Sequence, residues 1–251
     1  MKITVQIALA DFVDADHGRR ERALLPALHP AEQARYRAFG HARRRHVWLA
    51  GRELLLAALA RQRPQVDPAA LRTDARGAVR YDGGACVSLS HSGNLLVAAL
   101  ASVPVGVDVE QPRPRACVRQ AGRLFARAEA RYLQALAPAA QESGFYALWT
   151  LKEAFAKAAG MSLWEALRAA EFDLHARHLH TSAAPVADWS CVHARTARGA
   201  HLALAVQSAD HGVRLECRRR SATGDWLGEN LIERTAIRSA ESSSCVLAQV
   251  G

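Results

Sequence analysis

Hydrophobic and polar residues alternate at the start of the chain. Apolar side chains occupy every second position from Ile3 to Leu9, and Asp11 closes the run. Because alternate side chains of an extended chain share one face, this period of two predicts a strand over residues 1–10. The alternation does not fit the continuous apolar core of a secretory signal.

The chain then changes to a helical period. A stretch rich in Ala, Leu and Arg predicts a helical region over about residues 30–62, with Pro30 in the first turn. Two more helical stretches are predicted over about residues 116–136 and 141–159. Gly160 follows the second of these, and glycine is the residue most often found at a helix C-cap.

Short apolar runs between Gly and Pro residues predict the remaining strands. The chain turns tightly at Ser92-Gly93-Asn94, so the runs on either side predict a hairpin. The strands are expected at about residues 86–90, 95–100, 105–110, 171–174, 190–194 and 201–206, with an edge strand at 213–217 and coil at 239–244.

The order of these elements predicts an α+β fold built from two similar α/β subdomains. Pro104 interrupts the chain between them, so subdomains are predicted over residues 1–104 and 105–210. A partly disordered C-terminal extension is expected over residues 211–251. A chain of 251 residues is long enough to give such halves a sizeable core.

Composition excludes several classes of protein. Apolar residues make up 50% and charged residues 23%, which is typical of a folded globular chain. The longest clean apolar run, residues 54–60, is far shorter than the roughly 20 residues that span a bilayer. The five cysteines are scattered without a C-x-x-C pair, which favours reduced thiols in the cytoplasm over disulfides or a zinc site.

The net charge of +9 favours an anionic partner, whether nucleic acid, phosphorylated small molecule, acidic protein or membrane surface. No nucleic-acid partner is predicted, because the helix-turn-helix, zinc-finger and RNP signatures are absent and the 15 aromatic residues show no basic–aromatic pattern. No membrane partner is predicted either.

Only three of the 33 basic residues are lysines, and two of them, Lys152 and Lys157, lie in one segment. A lysine, unlike an arginine, shifts its pKa readily, so this segment is a candidate for chemistry.

Residues 105–110 place two carboxylates on one face of a predicted strand, and Val105, Val107 and Val109 form its other, apolar face. Asp108 and Glu110 would project together, with Cα atoms roughly 6.5–7 Å apart at ~3.3 Å per residue. Mg²⁺ is typically held by one or two carboxylates together with substrate phosphates. Gly106 lies on the same face and would leave space for a bulky ligand. The structural alternative is an edge strand with solvated acids.

Two other segments carry candidate chemistry. Residues 88–93 read Ser-Leu-Ser-His-Ser-Gly, and hydroxyls, an imidazole and turn amides suit a phosphate oxygen. Residues 145–160 have a helical period that places Lys152 beside an apolar stripe and Glu153 and Lys157 as an i,i+4 pair on its flank. The alternatives are a turn with a surface histidine and an ordinary amphipathic helix with one salt bridge.

Taken in order, these three motifs resemble those of the 4′-phosphopantetheinyl transferases of the Sfp, or surfactin-synthetase-activating, type. Residues 88–93 resemble the family's N-I-S-H-S-G, residues 105–110 its I-G-I-D-I-E, and residues 145–160 its F-Y-x-x-W-x-x-K-E-x-x-x-K-x-x-G. The resemblance spans roughly residues 30–175, and the last two motifs at this spacing are highly specific. It implies two pseudo-twofold-related α/β halves with the active site in the cleft between them.

The resemblance also implies an activity. The 4′-phosphopantetheine arm of coenzyme A would be transferred to a serine of an acidic acyl or peptidyl carrier protein, with release of 3′,5′-ADP. Mg²⁺, or Mn²⁺ in its place, would be the cofactor, coenzyme A the co-substrate, and the enzyme a monomer. Glu153 is the candidate general base, or a metal ligand, and Lys157 would stabilise or protonate the leaving phosphate.

Site residues follow from the matched positions. The implied metal ligands are Asp108, Glu110 and Glu153. The implied coenzyme A contacts are Arg35, Arg76, Ser90, His91, Asp108 and Lys157. The sequence departs from the family at its G-K-P block, where the best match is Arg76-Gly77-Ala78. Arg76 would then supply the charge of the missing lysine.

Two other functions stay open from the residues alone. One is a Mg²⁺-dependent phosphoryl or nucleotidyl transferase that uses the same acids without a carrier protein. The other is a non-enzymatic nucleic-acid-binding module, suggested by the charge alone. Mass spectrometry of a carrier protein incubated with coenzyme A and Mg²⁺ distinguishes them from the transferase.

Overall fold

The structure, a computed structural model, describes residues 2–113, 117–181, 188–208 and 211–239. Within these residues the α-helices are α1 (His17–Leu24), α2 (Pro30–Ala38), α3 (Ala42–Ala60), α4 (Cys117–Leu124), α5 (Arg127–Ala135), α6 (Pro138–Ala159) and α7 (Leu163–Ala169). The strands are β1 (Lys2–Asp11), β2 (Leu71–Thr73), β3 (Val79–Tyr81), β4 (Cys86–Ser92), β5 (Leu95–Ala101), β6 (Val105–Glu110), β7 (Ala170–Asp173), β8 (His178–Thr181), β9 (Trp189–Thr196), β10 (His201–Gln207), β11 (Gly212–Arg220), β12 (Trp226–Gly228) and β13 (Leu231–Arg238).

The strands form two large sheets, one in each half. The first sheet has the order β12-β11-β1-β5-β4, and α3 packs on it. The second has the order β6-β10-β9-β13-β8-β7, and α6 packs on it. A small hairpin, β2-β3, stands apart. The predicted α+β fold of two α/β subdomains is therefore confirmed.

The inner faces of the two sheets share one apolar core. The odd-numbered apolar residues of β1, from Ile3 to Leu9, are buried in it, as the alternation at the start of the chain predicts. Val105, Val107 and Val109 of β6 belong to the same core, which confirms the apolar face predicted for that strand. This shared core fixes the edges of the two sheets relative to each other.

The C-terminal segment contributes strands to both sheets. β11 pairs in parallel with β1, and β12 pairs with β11. β13 crosses to the second sheet and pairs with β9. The strand predicted at 213–217 is present as β11, but its predicted edge position is wrong, because β11 lies between two other strands. The coil predicted at 239–244 lies, after residue 239, outside the described residues.

Two predicted helices are each divided in two. The region predicted over 30–62 forms α2 and α3, because Phe39 has an extended backbone that ends α2. The region predicted over 116–136 forms α4 and α5, and Ala126 is extended between them. Gly160 is the C-cap of α6, as predicted, and it has the left-handed conformation. Along the described ranges, no helix has both the length and the apolar character needed to cross a bilayer.

Two buried histidines predict that the fold is sensitive to acid. His193 Nε2 on β9 and His201 Nδ1 on β10 lie 3.0 Å apart. Burial, with the nearby charge of Arg195, lowers the pKa of His193 to about 4 and that of His201 to about 3. The unfolded chain, with histidine pKa values near 6.5, therefore binds more protons than the folded chain in acid. The stability is complete above pH ~6.5 and falls as the pH decreases toward the folded pKa values.

We expect the free energy of unfolding to fall by on the order of 2–4 kcal/mol between about pH 7.5 and about pH 5, measured by urea denaturation. His193→Gln should remove part of this dependence, because one of the two titrating groups is gone. The exposed His175 provides the control, since His175→Gln should keep the wild-type dependence. Identical pH profiles for the His193 variant and the wild type would contradict the prediction.

Candidate active site

The two sheets meet edge to edge where β4 lies beside β6. Each is the outermost strand of its own sheet. Serine hydroxyls of β4 accept hydrogen bonds from backbone amides of β6 and the residue after it. The pairs are Ser88 Oγ with Val107 N at 3.0 Å, Ser90 Oγ with Val109 N at 3.3 Å, and Ser92 Oγ with Gln111 N at 3.0 Å. Two of the three predicted motifs are thus joined along their length.

Asp108 is held by groups from both halves. Its side chain is 5% exposed, and Oδ1 accepts hydrogen bonds from Ser90 Oγ and from Lys157 Nζ, both at 2.7 Å. Lys157 also donates to the carbonyl of Val107 at 3.0 Å. The second carboxylate oxygen, Oδ2, is buried without a hydrogen-bond partner. Asp108 therefore connects the motif on β4 to the motif on α6.

Gly106 lets α6 approach β6 closely. A Cβ atom at this position would stand 2.0 Å from the carbonyl oxygen of Ala154 and 2.6 Å from the amide nitrogen of Ala158. The space beside Gly106 is therefore filled by the helix, and the expectation that it accommodates a ligand is wrong. This contact brings Glu153 and Lys157 of α6 alongside the carboxylates of β6.

We expect Gly106→Ala to lower the free energy of unfolding by about 1–3 kcal/mol, because overpacking must push α6 away from β6. The loss of activity should be larger than the loss of folded protein explains, since the shift of α6 moves Lys157 away from Asp108. Gly228 in β12 provides a matched control, because a Cβ there meets nothing within 4 Å. Urea denaturation and activity should both be close to wild type for Gly228→Ala. An equally mild effect of Gly106→Ala would contradict the packing argument.

Glu110 and Glu153 complete the acidic group. Ser92 Oγ donates to Glu110 Oε2 at 2.7 Å. Burial raises the pKa of Glu153, and the negative charges of Asp108 and Glu110 add to this, whereas Lys157 opposes it. A carboxyl group whose pKa is raised in this way accepts a proton more readily near neutral pH.

The chemistry of these carboxylates fits a hard divalent cation. The buried, unpartnered Oδ2 of Asp108 is costly unless a donor or a cation satisfies it. A cation would also relieve the repulsion that Glu153 experiences from Asp108 and Glu110. Across the described residues, no three His, Cys, Asp or Glu side chains already stand in a metal-binding arrangement. The fit lies in the donor set and not in a preformed coordination sphere.

A large open cleft of about 1320 Å³ lies between the two halves. It brings together most of the predicted site residues, and Asp108 lies behind them, in contact with Ser90 and Lys157. The predicted residues that line the cleft are Arg35, Arg76, Ser90, His91, Glu110, Glu153 and Lys157. Further basic side chains in the lining are His41, Arg43, Arg44, Arg52, Arg80 and Arg113.

The cationic residues of the cleft differ in their surroundings. Arg35 is exposed on α2. Arg76 is also exposed, and its guanidinium donates to the carbonyl of Gly160, so it reaches from one half to the other. His91 keeps solvent contact in the cleft, but partial burial, together with the charge of Lys157, lowers the pKa of its imidazole.

Lys152 lies in the core, whereas Glu153 and Lys157 of the same motif line the cleft. It is completely buried in the core of the second half, where Nζ donates to the carbonyl of Ala170 at 2.6 Å and pairs with Glu129 Oε2 at 2.9 Å. The prediction that it lies beside the apolar stripe of α6 is confirmed, but its role is structural. The pair supports α6 within its own half.

Sequence reasoning missed the bridging serines Ser88 and Ser92. The signal was present, because serines at positions 88, 90 and 92 share one face of a strand. What could not be read was the partner of that face, since β6 belongs to another sheet.

Two family models match this chain. Residues 32–101 match the family model of the 4′-phosphopantetheinyl transferase N-terminal domain, and residues 104–206 match that of the 4′-phosphopantetheinyl transferase superfamily. Together the two matches cover more than half of the chain.

Individual relatives carry the same description. The chain is 32% identical over 150 residues to a 4′-phosphopantetheinyl transferase of Bacillus subtilis. The aligned residues cover 57% of this chain and 65% of the relative. It is 31% identical over 144 residues to 4′-phosphopantetheinyl transferase Sfp of Bacillus subtilis strain 168, and the alignment covers 54% of this chain and 62% of that relative. It is 36% identical over 126 residues to 4′-phosphopantetheinyl transferase AcpT of Salmonella typhimurium, and the alignment covers 49% of this chain and 62% of that relative. The chain thus spans just under two thirds of the length of these relatives.

Proposed function

Because the chain belongs to the 4′-phosphopantetheinyl transferase superfamily, we propose that it transfers the 4′-phosphopantetheine arm of coenzyme A to a serine of an acyl or peptidyl carrier protein. The observation that carries this proposal is the cleft between the halves, which brings basic side chains opposite the carboxylates and Lys157 of the second half. Such a cleft suits transfer from a pyrophosphate, because basic side chains neutralise its charge. The carboxylates of the cleft can bind a divalent cation or accept a proton.

The basic side of the cleft would bind the nucleotide end of coenzyme A. Arg35 and Arg76 offer guanidinium groups that can hold a phosphate bidentately. Ser90 and His91 would meet the 3′-phosphate. In the structure the Ser90 hydroxyl donates to Asp108, so this contact requires the hydroxyl to reorient when the nucleotide binds.

The transfer exchanges one bond to phosphorus for another. The carrier serine Oγ attacks the phosphorus that bears the pantetheine arm, and the bond from that phosphorus to 3′,5′-ADP breaks. The serine proton passes to Glu153, a carboxylate that lines the cleft. Lys157, oriented by Asp108 at 2.7 Å, stabilises the charge that develops on the leaving phosphate.

The same carboxylates suit the metal ion implied by the family. Mg²⁺ or Mn²⁺ held by Asp108, Glu110 and Glu153 would supply charge neutralisation at the pyrophosphate. Glu153 would then serve as a ligand, as the base, or as both.

Charge and connectivity support the remaining assignments. The net charge of +9 favours encounter with an acidic carrier protein, an attraction that salt screens. A single chain supplies both sides of the cleft, which supports a monomeric enzyme.

The direct test incubates the full chain with coenzyme A, Mg²⁺ and a panel of apo carrier proteins from fatty acid, polyketide and nonribosomal peptide synthesis. Intact-protein mass spectrometry should detect one added phosphopantetheine arm on at least one carrier. The matched control is the same carrier with its acceptor serine replaced by alanine, which should stay unmodified. Failure to modify any carrier, with coenzyme A bound, would contradict the proposal and favour a transferase with another acceptor.

A further inference from the structure

Between β4 and β6, serine side chains take the place of the backbone hydrogen bonds that join strands within a sheet. β4 and β6 are neighbouring edge strands of different sheets, and the amides of β6 that face β4 need acceptors because buried N–H groups are costly to leave unpaired. Three serine hydroxyls provide them. An aliphatic side chain of similar size would keep the strands packed but leave each amide unsatisfied.

Two of these serines also contact a carboxylate. Ser92 accepts from the amide of Gln111 at 3.0 Å and donates to Glu110 Oε2 at 2.7 Å. A hydroxyl that accepts one hydrogen bond becomes a stronger donor in the next, so the two bonds reinforce each other. Ser90 forms the corresponding pair with Val109 and Asp108, but its hydroxyl is also a proposed contact of coenzyme A.

Ser88 forms only the first of the two bonds. Its Oγ accepts from the amide of Val107 at 3.0 Å, the same distance as in the Ser92 bond. Among the described residues, no carboxylate accepts a hydrogen bond from it. A comparison of variants at Ser88 and Ser92 therefore distinguishes the bond that bridges the strands from the bond that orients a carboxylate.

We propose that Ser92 is a positioning residue, whose hydroxyl holds Glu110 in the orientation in which it takes up the divalent cation. The inference rests on the proposed function, because the cation belongs to that function. A free glutamate side chain must lose rotamer freedom when it binds a metal. The bond to Ser92 already restricts the Glu110 side chain before the metal binds. It engages only one of the two carboxylate oxygens. Outer contacts of this kind commonly change metal affinity by about 10–100-fold.

The test compares Ser92→Ala with Ser88→Ala in the full chain. Both variants lose one serine–amide bond, and Ser92→Ala also loses its bond to Glu110, so both thermal unfolding temperatures should fall, and that of Ser92→Ala at least as far as that of Ser88→Ala. Mn²⁺ affinity, measured with Mn²⁺ alone by electron paramagnetic resonance, should weaken about tenfold or more in Ser92→Ala. In Ser88→Ala it should stay within about twofold of wild type, because Glu110 keeps its donor.

Two further variants keep the test decisive. In a Glu110→Gln background, Ser92→Ala should cause no further loss of Mn²⁺ affinity, since the oriented carboxylate is gone. If Ser92→Ala does not fold, Ser92→Thr retains the hydroxyl and Ser92→Cys retains only a weak donor. The threonine variant should then bind Mn²⁺ more tightly than the cysteine variant.

The outcomes separate the inference from the function. Equal Mn²⁺ affinities of Ser92→Ala and wild type, or equal losses in the Ser92 and Ser88 variants, overturn the positioning role and leave the transferase function intact. Absence of Mn²⁺ binding by the wild type overturns both the positioning role and the metal part of the proposed function. A loss confined to Ser92→Ala supports the inference.

Discussion

Replacing Glu153 by glutamine is expected to lower kcat by about 10²–10⁴-fold, the usual contribution of a general base. The substitution keeps the shape of the side chain and removes only its capacity to accept a proton or bind a cation as a carboxylate. Glu153 lines the cleft, and burial already raises its pKa. The fold should therefore tolerate the amide, and circular dichroism and thermal unfolding should match wild type.

The kinetics of Glu153→Gln distinguish its two roles. A base that binds no metal would give a lower kcat with an unchanged Mn²⁺ dependence. A ligand alone would give a higher Mn²⁺ concentration for half-maximal activity, with activity partly restored at high Mn²⁺ concentration. Both quantities are obtained from carrier modification followed by mass spectrometry over a range of Mn²⁺ concentrations.

Glu142 provides the matched control for this experiment. It lies on the same helix, α6, about three turns before Glu153, and it does not line the cleft. Glu142→Gln makes the same change of charge and should keep wild-type turnover. A wild-type rate for Glu153→Gln would remove Glu153 from the mechanism.

Replacing Lys152 by methionine is expected to lower the free energy of unfolding by about 3–5 kcal/mol, because it leaves a buried carboxylate without its cation. Glu129 and Lys152 are 2% and 0% exposed, and the ammonium lies 2.9 Å from Glu129 Oε2. Glu129 also accepts from the amides of Ala126 and Phe172, so it cannot turn toward solvent without losing both bonds. The melting temperature should fall by roughly 10 °C for a chain of this size.

The double variant Lys152→Met with Glu129→Gln tests the cause. A neutral amide keeps an acceptor for a backbone amide but carries no charge, so the double variant should recover a large part of the loss. Thermal and urea unfolding of the two single variants and the double variant complete the cycle. Additive losses would contradict a coupled pair, and a wild-type melting temperature for Lys152→Met would contradict any structural role.

Local patterns predicted the elements that depend on short-range periodicity. The strand at the start of the chain, the apolar face of Val105, Val107 and Val109, and the end of α6 at Gly160 were all predicted correctly. Each depends on residues within one element, where alternation or helical spacing determines which side chains share a face. The division of two predicted helices was missed because nothing in the apolar period marks Phe39 or Ala126 as extended.

Partners that are distant in the chain could not be predicted. Gly106 was expected to leave room for a ligand, whereas the backbone of α6 fills that space. β11 was expected at an edge, whereas it pairs with β1 from the other end of the chain. In both cases the pattern gave the correct element but no information about which distant element would pack against it.

For this protein, the sequence by itself determined the kinds of chemistry and their order: two carboxylates two residues apart on a strand, a serine–histidine turn, and a glutamate and a lysine one helical turn apart. Only the tertiary structure decided that Lys157 reaches Asp108, that Lys152 is buried against Glu129, and that Ser92 holds Glu110. The physical reason is that periodicity acts within one element, whereas these contacts arise when a shared apolar core sets the edges of two sheets side by side.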